Sequence, residues 1–324
     1  MSMMNKVVTS VVLFLCLLVT LIIFLFQSTR LQTKGSYQLK SLSSEVDVYF
    51  DEYGIPHISA QKPKDAYRVL GFIMASERLF QLDLMRRVVS GKLSEVFGSD
   101  TLDIDILSRK LMLKKNSVDF LERKNNGLSQ EAKSYMNAYL EGIHEYIETQ
   151  SLPVEFKLLG YTPGPFEMAD MLGLSSYMAL GFSEGLTADV LFSELMEILP
   201  EDKMKIIRVG AEVDKDYFTP KKIVRSKFIK GLHSTIDKIN NYVPIFHGSN
   251  SWVLSGKRTE SGYPLLANDP HISTSNPHIF YEAHLKYPGM EVYGHFIPLS
   301  PFPVLGHTPH SAWGLTMAEL DDAT

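Results

Sequence analysis

The stretch Gly248-Ser249-Asn250-Ser251-Trp252 is the most informative part of this chain, because it places a serine directly after a glycine and before a strand-like run. If the bond between Gly248 and Ser249 is cut, the serine becomes an N-terminal residue that carries both a hydroxyl nucleophile and an α-amino base. A free α-amino group titrates at about 7.7–8.0, so much of it can accept a proton at neutral pH. Glycine suits a strained scissile bond because it lacks a Cβ. Composition alone favours a different interpretation, an ordinary turn before the strand at 252–255.

Motifs on both sides of this serine favour the nucleophile over the turn. Nineteen residues after Ser249 begins Asn268-Asp269-Pro270-His271, and Gly306-His307 follows later. With these motifs the chain resembles the penicillin acylase (penicillin amidase) family of N-terminal-nucleophile hydrolases over nearly all of residues 45–324. The blocks that carry the resemblance, in family order, are residues 51–58, 75–83, 90–98, 153–170, 248–271, 306–307 and 313–316.

The resemblance implies a role for each residue around the serine. Ser249 would attack an amide carbonyl while its own amine takes the proton through a water molecule. His271 stands near the nucleophile and its amine, where the family carries Gln or His; a structural histidine after a turn proline is the alternative. Counting from Ser249 without a gap puts Met317 where the family offers a backbone N–H to the oxyanion. Such a donor stabilises the transition state by about 2.7–4 kcal/mol and tolerates any side chain except proline.

The same correspondence implies an apolar acyl pocket and a structural metal ion. Three apolar residues would line the pocket, although each is also interpretable as a core residue: Ile272, Leu305 and Phe182. The family binds a structural calcium through carboxylates, the hard oxygen ligands that suit this ion. Asp321 matches one calcium position and Asp189 loosely matches another, whereas Thr324 stands where a further Asp is usual. No cofactor is expected for the chemistry itself.

These features predict a penicillin acylase-like amidohydrolase that cleaves the amide bond of N-acylated small molecules after it cuts itself between Gly248 and Ser249. An N-acyl-homoserine-lactone acylase is the alternative, because histidine at position 271 is typical of the branch that resembles cephalosporin and acyl-homoserine-lactone acylases. The family's other oxyanion donor, an Asn, falls beyond Thr324, so we expect the chain to be truncated and incomplete for catalysis. An inactive, membrane-anchored fragment or a binding protein is the alternative of another class.

Composition and the absence of other motifs argue against several other classes of protein. The 324 residues carry a net charge of −5 and a sequence pI of about 6.1, which argues against a nucleic-acid partner. The stretch from Gly248 to Lys257 has too many residues between its glycines for a phosphate loop. The chain contains no Gly-x-Ser-x-Gly elbow, the usual mark of an α/β-hydrolase. Cys16 is the only cysteine, so an intramolecular disulfide is excluded.

The N-terminus carries an uncharged, almost wholly apolar run over residues 7–26. Twenty helical residues span about 30 Å, the thickness of the hydrocarbon layer of a bilayer. A cleaved signal peptide has a shorter apolar region and a small-residue site after it. We therefore predict an uncleaved signal anchor, with the rest of the chain on the extracytoplasmic face that the resemblance favours, or secreted if the N-terminus is removed.

The sequence divides into a helical front half and a sheet-rich back half. Alternation predicts strands within 37–60, and helical spacing of apolar residues predicts helices over 64–96, 129–149 and 188–208. From Ser249 onward, β-branched and aromatic residues between Gly and Pro predict strands. We predict four segments: an anchor (1–34), a helical α-chain-like region (35–220), a processing linker (221–248) and the start of a β-chain (249–324). The class is α+β, and the resemblance implies the αββα sandwich of N-terminal-nucleophile hydrolases, held together by its own α and β chains.

Overall fold

The computed structural model describes residues 3–27, 33–182 and 246–316, together with positions 195, 198–200, 203, 235, 238–239 and 242. Its helices are α1 (Met3–Gln27), α2 (Pro63–Ser90), α3 (Ser94–Phe97), α4 (Leu102–Lys110), α5 (Leu113–Glu122), α6 (Gln130–Thr149), α7 (Val154–Leu159) and α8 (Met168–Phe182). Its strands are β1 (Val46–Phe50), β2 (Pro56–Ala60), β3 (Phe246–Leu254), β4 (Leu265–Ile272), β5 (Tyr281–Tyr287), β6 (Met290–Phe296), β7 (Leu305–His307) and β8 (Ala312–Trp313). The predicted helix over 188–208 and the predicted processing linker over 221–248 lie mostly outside the described residues.

The apolar N-terminal run forms the first helix, α1. Its described apolar side chains, such as Leu13, Phe14 and Leu17, are exposed. Over the part of the chain that the structure describes, no helix is long and apolar enough to cross a membrane. The anchor over residues 7–26 therefore stays a prediction.

The helical front half matches the prediction at one helix and departs from it at another. Helix α6 is confirmed, and it begins where Ser129 Oγ accepts the Ala132 N–H at 3.0 Å, an N-terminal cap. The helix over 64–96 is wrong at its end, because α2 stops at Ser90 and α3 begins only at Ser94. The reason is Gly91, whose φ of 61° lies in the left-handed region that ends helices. The α+β class is confirmed.

The chain divides into two units, each assembled from separated segments. The first contains Met1–Arg86, Val118–Met171 and Ser275–Gly314. The second contains Arg87–Ser117, Leu172–Thr274 and Leu315–Thr324. Each unit thus joins residues from before Ser249 with residues from after it.

A six-stranded sheet in the order β1-β2-β5-β6-β7-β8 forms the centre of the first unit. All neighbouring strands are antiparallel except β2 and β5, which are parallel. The strands predicted within 37–60 are confirmed as β1 and β2, and in the turn between them Asp51 Oδ1 accepts the N–H groups of Tyr53 and Ile55, both at 2.9 Å. One face of the sheet is buried through residues that alternate along the strands: Ile58, Ala60, Ala283, Leu285, Val292 and Phe296.

Helices α2 and α6 cross in close contact within this unit. A Cβ added to Gly71 would lie 2.0 Å from the carbonyl oxygen of Tyr139, and one added to Gly142 would lie 1.9 Å from that of Arg68. Both distances are far below a van der Waals contact, so the two backbones meet only because each helix carries a glycine at the crossing.

The second unit contains a two-stranded antiparallel sheet of β3 and β4. Strand β3 begins at Phe246, so the prediction that the first strand of the back half begins at Ser249 is wrong by three residues. Backbone pairing of Phe246 with Ile272 and of Gly248 with His271 extends the strand through the intact Gly248–Ser249 bond.

Elsewhere in this unit, buried Asp105 of α4 accepts the N–H groups of Leu93 at 2.7 Å and Ser94 at 2.9 Å, which joins α4 to α3.

Candidate active site

The register of β3 against β4 brings two of the sequence motifs together. Gly248 pairs with His271, Ser249 with Pro270, and Asn250 with Asp269. Side chains alternate between the faces of a strand, and directly paired residues share a face. Gly248, Asn250, Asp269 and His271 therefore lie on one face of the hairpin, and Ser249 lies on the other.

The His271 imidazole is next to the predicted scissile bond. A Cβ added to Gly248 would lie 3.6 Å from His271 Nδ1, so the ring lies beside Gly248 itself. Gly248 has a φ of 157°, which residues with a side chain rarely adopt. The hydroxyl of Ser249 is on the opposite face, so in the uncut chain the imidazole faces the residue before the nucleophile.

Two polar groups contact the other ring nitrogen of His271. Its Nε2 lies 3.1 Å from Asp269 Oδ2 and 3.3 Å from Asn250 Nδ2. A carboxylate only accepts hydrogen bonds, so the contact with Asp269 requires a proton on Nε2. In the neutral ring, that tautomer leaves Nδ1 as a lone pair directed to the side of Gly248. The arrangement is open to solvent, with 49% of the His271 side chain and 74% of the Asp269 side chain exposed.

Asn268 and Thr316 hold the segment after Trp313 against the nucleophile strand. Asn268 Oδ1 accepts the Leu315 N–H at 2.8 Å, and its Nδ2 donates to the carbonyl oxygens of Leu315 at 2.9 Å and Asn250 at 2.8 Å. Thr316 Oγ1 donates to the Ser249 carbonyl oxygen at 2.9 Å. Sequence reasoning assigned no role to either residue, although both stand inside the matching blocks. The amide of Asn268 is hydrogen-bonded to both the N–H and the carbonyl group of Leu315. No local sequence pattern predicts a contact between residues so far apart in the chain, so only the structure shows it.

Comparison with known proteins places this site in a family. The family model described as penicillin amidase matches residues 45–324. The chain belongs to the penicillin amidase family. It is 29% identical over 311 residues to "Penicillin acylase 2 proenzyme" of Pseudomonas sp. (strain SE83), a match that covers 89% of this chain and 38% of that protein.

Three further proteins are similar to the chain. The chain is 28% identical over 314 residues to "Acyl-homoserine lactone acylase QuiP" of Pseudomonas syringae pv. tomato, covering 91% of this chain and 36% of that protein. It is 31% identical over 135 residues to "Penicillin G acylase" of Escherichia coli, covering 40% and 16%. The thermostable penicillin G acylase of Alcaligenes faecalis matches with a TM-score of 0.42 and 25% identity, over 50% of this chain and 88% of that one. The chain thus spans less than two-fifths of the length of the first relatives.

The remaining predicted positions of this penicillin amidase family member lie on separate elements or outside the described residues. Ile272 ends β4, three residues after Asp269, whereas Leu305 belongs to β7 in the first unit and is 7% exposed. Phe182 is the last residue of α8, and its side chain is outside the described part, as are Met317, Asp189 and Asp321. Within the described ranges no group of three or more His, Cys, Asp or Glu side chains could hold a metal ion. The calcium prediction rests on residues outside those ranges and stays a prediction.

Proposed function

We propose that this protein is an amidohydrolase of the penicillin acylase type, which hydrolyses the amide bond of N-acylated small molecules after cutting itself between Gly248 and Ser249. The observation that carries the proposal is the family match over residues 45–324, within which Gly248 pairs with His271 and Ser249 with Pro270 in one hairpin. The word "proenzyme" in the name of one relative supports a processed precursor.

Self-cleavage begins on the face of β3 that carries the serine hydroxyl. Ser249 Oγ attacks the carbonyl carbon of Gly248 and the C–N bond breaks, so the acyl group moves from nitrogen to oxygen. Water then hydrolyses the ester, which leaves a carboxylate on Gly248 and a free α-amino group on Ser249. The extended backbone at Gly248 leaves its carbonyl without the crowding that a side chain would add.

Hydrolysis of the substrate uses the two groups that this cut places on one residue. The Ser249 hydroxyl attacks the substrate carbonyl while the α-amine accepts its proton through a water molecule. The acyl group is transferred to the serine, the amine product leaves with a proton, and water releases the acid. The backbone N–H of Met317 stabilises the oxyanion, and Thr316, the residue before it, is already hydrogen-bonded to the Ser249 carbonyl.

Two classes of N-acyl amide are candidate substrates. Penicillins and related acyl amides are the first candidate, supported by the relatives named penicillin acylase. Acyl-homoserine lactones are the second, supported by the similarity to acyl-homoserine lactone acylases and by His271. Apolar residues at 272, 305 and 182 favour an apolar acyl group in both cases.

Three further features belong to this proposal and rest on the sequence. The αββα sandwich of N-terminal-nucleophile hydrolases is the fold that the family resemblance implies for the whole protein. Residues 7–26 attach it to a membrane, with the catalytic part on the extracytoplasmic face, and the uncharged apolar run supports this. Asp321 and Asp189 contribute to a structural calcium site.

The test is the pair of serine variants Ser249→Ala and Ser251→Ala in the full-length gene product. Both serines lie on the same face of β3, so Ser251→Ala controls for the loss of a hydroxyl from this strand. We expect two chains cut between Gly248 and Ser249 in the wild type and in Ser251→Ala, and one inactive chain in Ser249→Ala, by intact mass and N-terminal sequencing. Two chains cut at this bond in Ser249→Ala would disprove self-processing. A wild-type protein that stays as one inactive chain would favour the binding-protein alternative.

A further inference from the structure

A pair of histidines joins two strands at the centre of the six-stranded sheet. His57 of β2 pairs with His284 of β5, in the parallel ladder that connects the segments before and after Ser249. Both side chains lie on the face opposite the buried apolar residues, between Tyr49 of β1 and Tyr293 of β6. They are partly open to solvent, with 33% of the His57 side chain and 21% of the His284 side chain exposed.

The two imidazole rings are hydrogen-bonded to each other through the same ring atom. His57 Nδ1 lies 2.9 Å from His284 Nδ1, with the ring planes at 85° and the ring centroids 5.1 Å apart. On the far side of the first ring, His57 Nε2 lies 3.4 Å from Asp51 Oδ2. On the far side of the second ring, His284 Nε2 lies 3.2 Å from Glu291 Oε1. The pair therefore forms the middle of a row of three polar contacts that ends at a carboxylate on each side.

These three contacts are all hydrogen bonds only if the two rings together carry three protons. A carboxylate only accepts hydrogen bonds, so each Nε2 needs a proton, and the contact between the Nδ1 atoms needs one more. Two neutral rings carry one proton each and leave one contact unsatisfied. One neutral and one protonated ring satisfy every contact, and their single positive charge lies between two carboxylates. If both rings are protonated, two N–H groups face each other across 2.9 Å and the hydrogen bond between the rings is lost.

The surroundings of the pair oppose a second positive charge on it. Burial, followed by the charge of His57, lowers the pKa of His284, although Glu291 raises it. Lys286 Nζ lies 3.0 Å from Glu291 Oε2 and offsets part of that carboxylate's charge. The Tyr293 hydroxyl donates its hydrogen bond to Glu282 rather than to a ring. Among the described residues, the titratable side chains around the pair on these strands and the β1–β2 turn are Tyr49, Asp51, Glu282, Lys286, Glu291 and Tyr293.

We propose that the His57–His284 pair is a pH-sensitive junction, which one shared proton holds closed and which a second proton weakens at acid pH. When the junction opens, each histidine titrates independently at about 6.5. At about pH 5 the open state therefore binds nearly two protons, whereas the closed pair retains one. A state that binds fewer protons loses stability as the pH decreases, so the closed junction weakens between about pH 6.5 and about pH 5. The ordinary carboxylate range lies below this window.

The position of the junction gives this pH dependence a structural consequence. The β2–β5 ladder pairs residues 57–59 with residues 284–286, and these two segments lie on opposite sides of Ser249 in the chain. If the chain is cut as in the proposed function, the ladder becomes a contact between the two products, and acid pH weakens their association in the sheet. Protonation of the pair does not itself depend on the cut.

The test is hydrogen exchange measured by mass spectrometry on the full-length protein at about pH 6.5 and about pH 5, corrected for the chemical exchange rate. In the wild type we expect the protection of residues 57–59 and 284–286 to fall by about 5–10-fold at the lower pH, the effect of about one extra proton in the open state. His284→Gln leaves His57 beside an uncharged amide, so its protection should fall by at most about 2-fold. The double variant His57→Gln/His284→Gln should behave in the same way. His310→Gln, which removes an exposed histidine of the same unit, should match the wild type.

Glu291→Gln provides a second test that leaves both rings in place. It removes a carboxylate that favours a proton on His284, so the fall in protection should be at least as large as in the wild type. Each variant is compared with its own protection at about pH 6.5, so a uniformly weaker sheet does not imitate the result. Ser249→Ala should keep the wild-type fall, which separates this proposal from self-processing. A wild type whose protection does not fall, an equal fall in the double variant, or a smaller fall in Glu291→Gln would each overturn the proposal.

Discussion

At the scale of single residues, the candidate site depends on which ring nitrogen of His271 carries the proton and which carries the lone pair. Asp269 requires a proton on Nε2, whereas the Asn250 Nδ2 group requires a lone pair there, and one nitrogen of a neutral ring cannot satisfy both. The ionised carboxylate is the stronger partner. Nδ1 is therefore the acceptor beside Gly248. If the chain is cut as proposed, there are two candidate bases, the α-amine of Ser249 and the His271 imidazole.

The pH profile of His271→Gln in the full-length enzyme separates these two bases. If the amine of Ser249 is the base, kcat/KM must fall as the pH decreases and the amine becomes protonated, with an acid limb below about pH 8. A histidine base would also give an acid limb, so the wild-type profile does not assign the base. Because Gln does not titrate, we expect the variant to keep substantial activity and an acid limb, and His310→Gln to match the wild type. If kcat/KM of His271→Gln no longer falls at acidic pH, then the base is His271 and not the α-amine.

At the scale of elements, the distance to which two helix backbones can approach determines how α2 and α6 pack. The α2–α6 crossing is closer than any side chain at Gly71 or Gly142 would permit. Around it, buried aromatic residues such as Tyr139 and Tyr146 fill the first unit. The helical pattern of apolar residues predicts α2 and α6 separately, but it contains nothing that specifies where they touch.

Gly71→Ala tests this crossing. The added methyl group would overlap the Tyr139 carbonyl oxygen unless the helices separate, so we expect a loss of at least about 1–3 kcal/mol in the free energy of unfolding. Lys64→Ala changes an exposed position of the same helix and should shift stability by less than about 0.5 kcal/mol. Urea unfolding followed by circular dichroism measures both. Equal midpoints for Gly71→Ala and the wild type would contradict the close crossing.

At the scale of the whole molecule, segments from both sides of Ser249 share one sheet. Strands β1 and β2 precede the serine and β5 to β8 follow it, and the parallel β2–β5 ladder joins the two sets. In the proposed function this ladder keeps the two products of self-cleavage associated. It also means that neither half can complete the sheet without the other.

The acyl preference of the full-length protein is a property of the whole molecule. Ile272, Leu305 and Phe182 are all apolar, so we expect phenylacetyl and C6–C12 acyl amides to be hydrolysed at least about 10-fold faster, in kcat/KM, than glutaryl amides. The Ser249→Ala protein provides the background rate. A preference for the charged glutaryl group would show that the apolar pocket is wrong. A preference for acyl-homoserine lactones over phenylacetyl amides would favour the second candidate.

The sequence by itself determined the family, the candidate nucleophile and the local elements with a strong period or cap. Helix α6 and the β1–β2 turn follow from patterns within a few residues, where capping and side-chain alternation act directly. The block order around Gly248-Ser249 led to the family because such linear motifs survive in the chain itself. The shorter helices α4, α5 and α7 and the end of α2 were not predicted, since their boundaries depend on contacts such as Asp105 with Leu93.

Only the tertiary structure decided which distant residues meet. The register of β3 and β4 put His271 on the face of Gly248 rather than on that of the Ser249 hydroxyl, and a shift of one residue would have reversed this. The Asn268–Leu315 pair and the contact of His57 with His284 join residues 47 and 227 positions apart. Such contacts follow from strand pairing between separate segments, whose geometry is set by burial of the sheet's apolar face rather than by any local pattern.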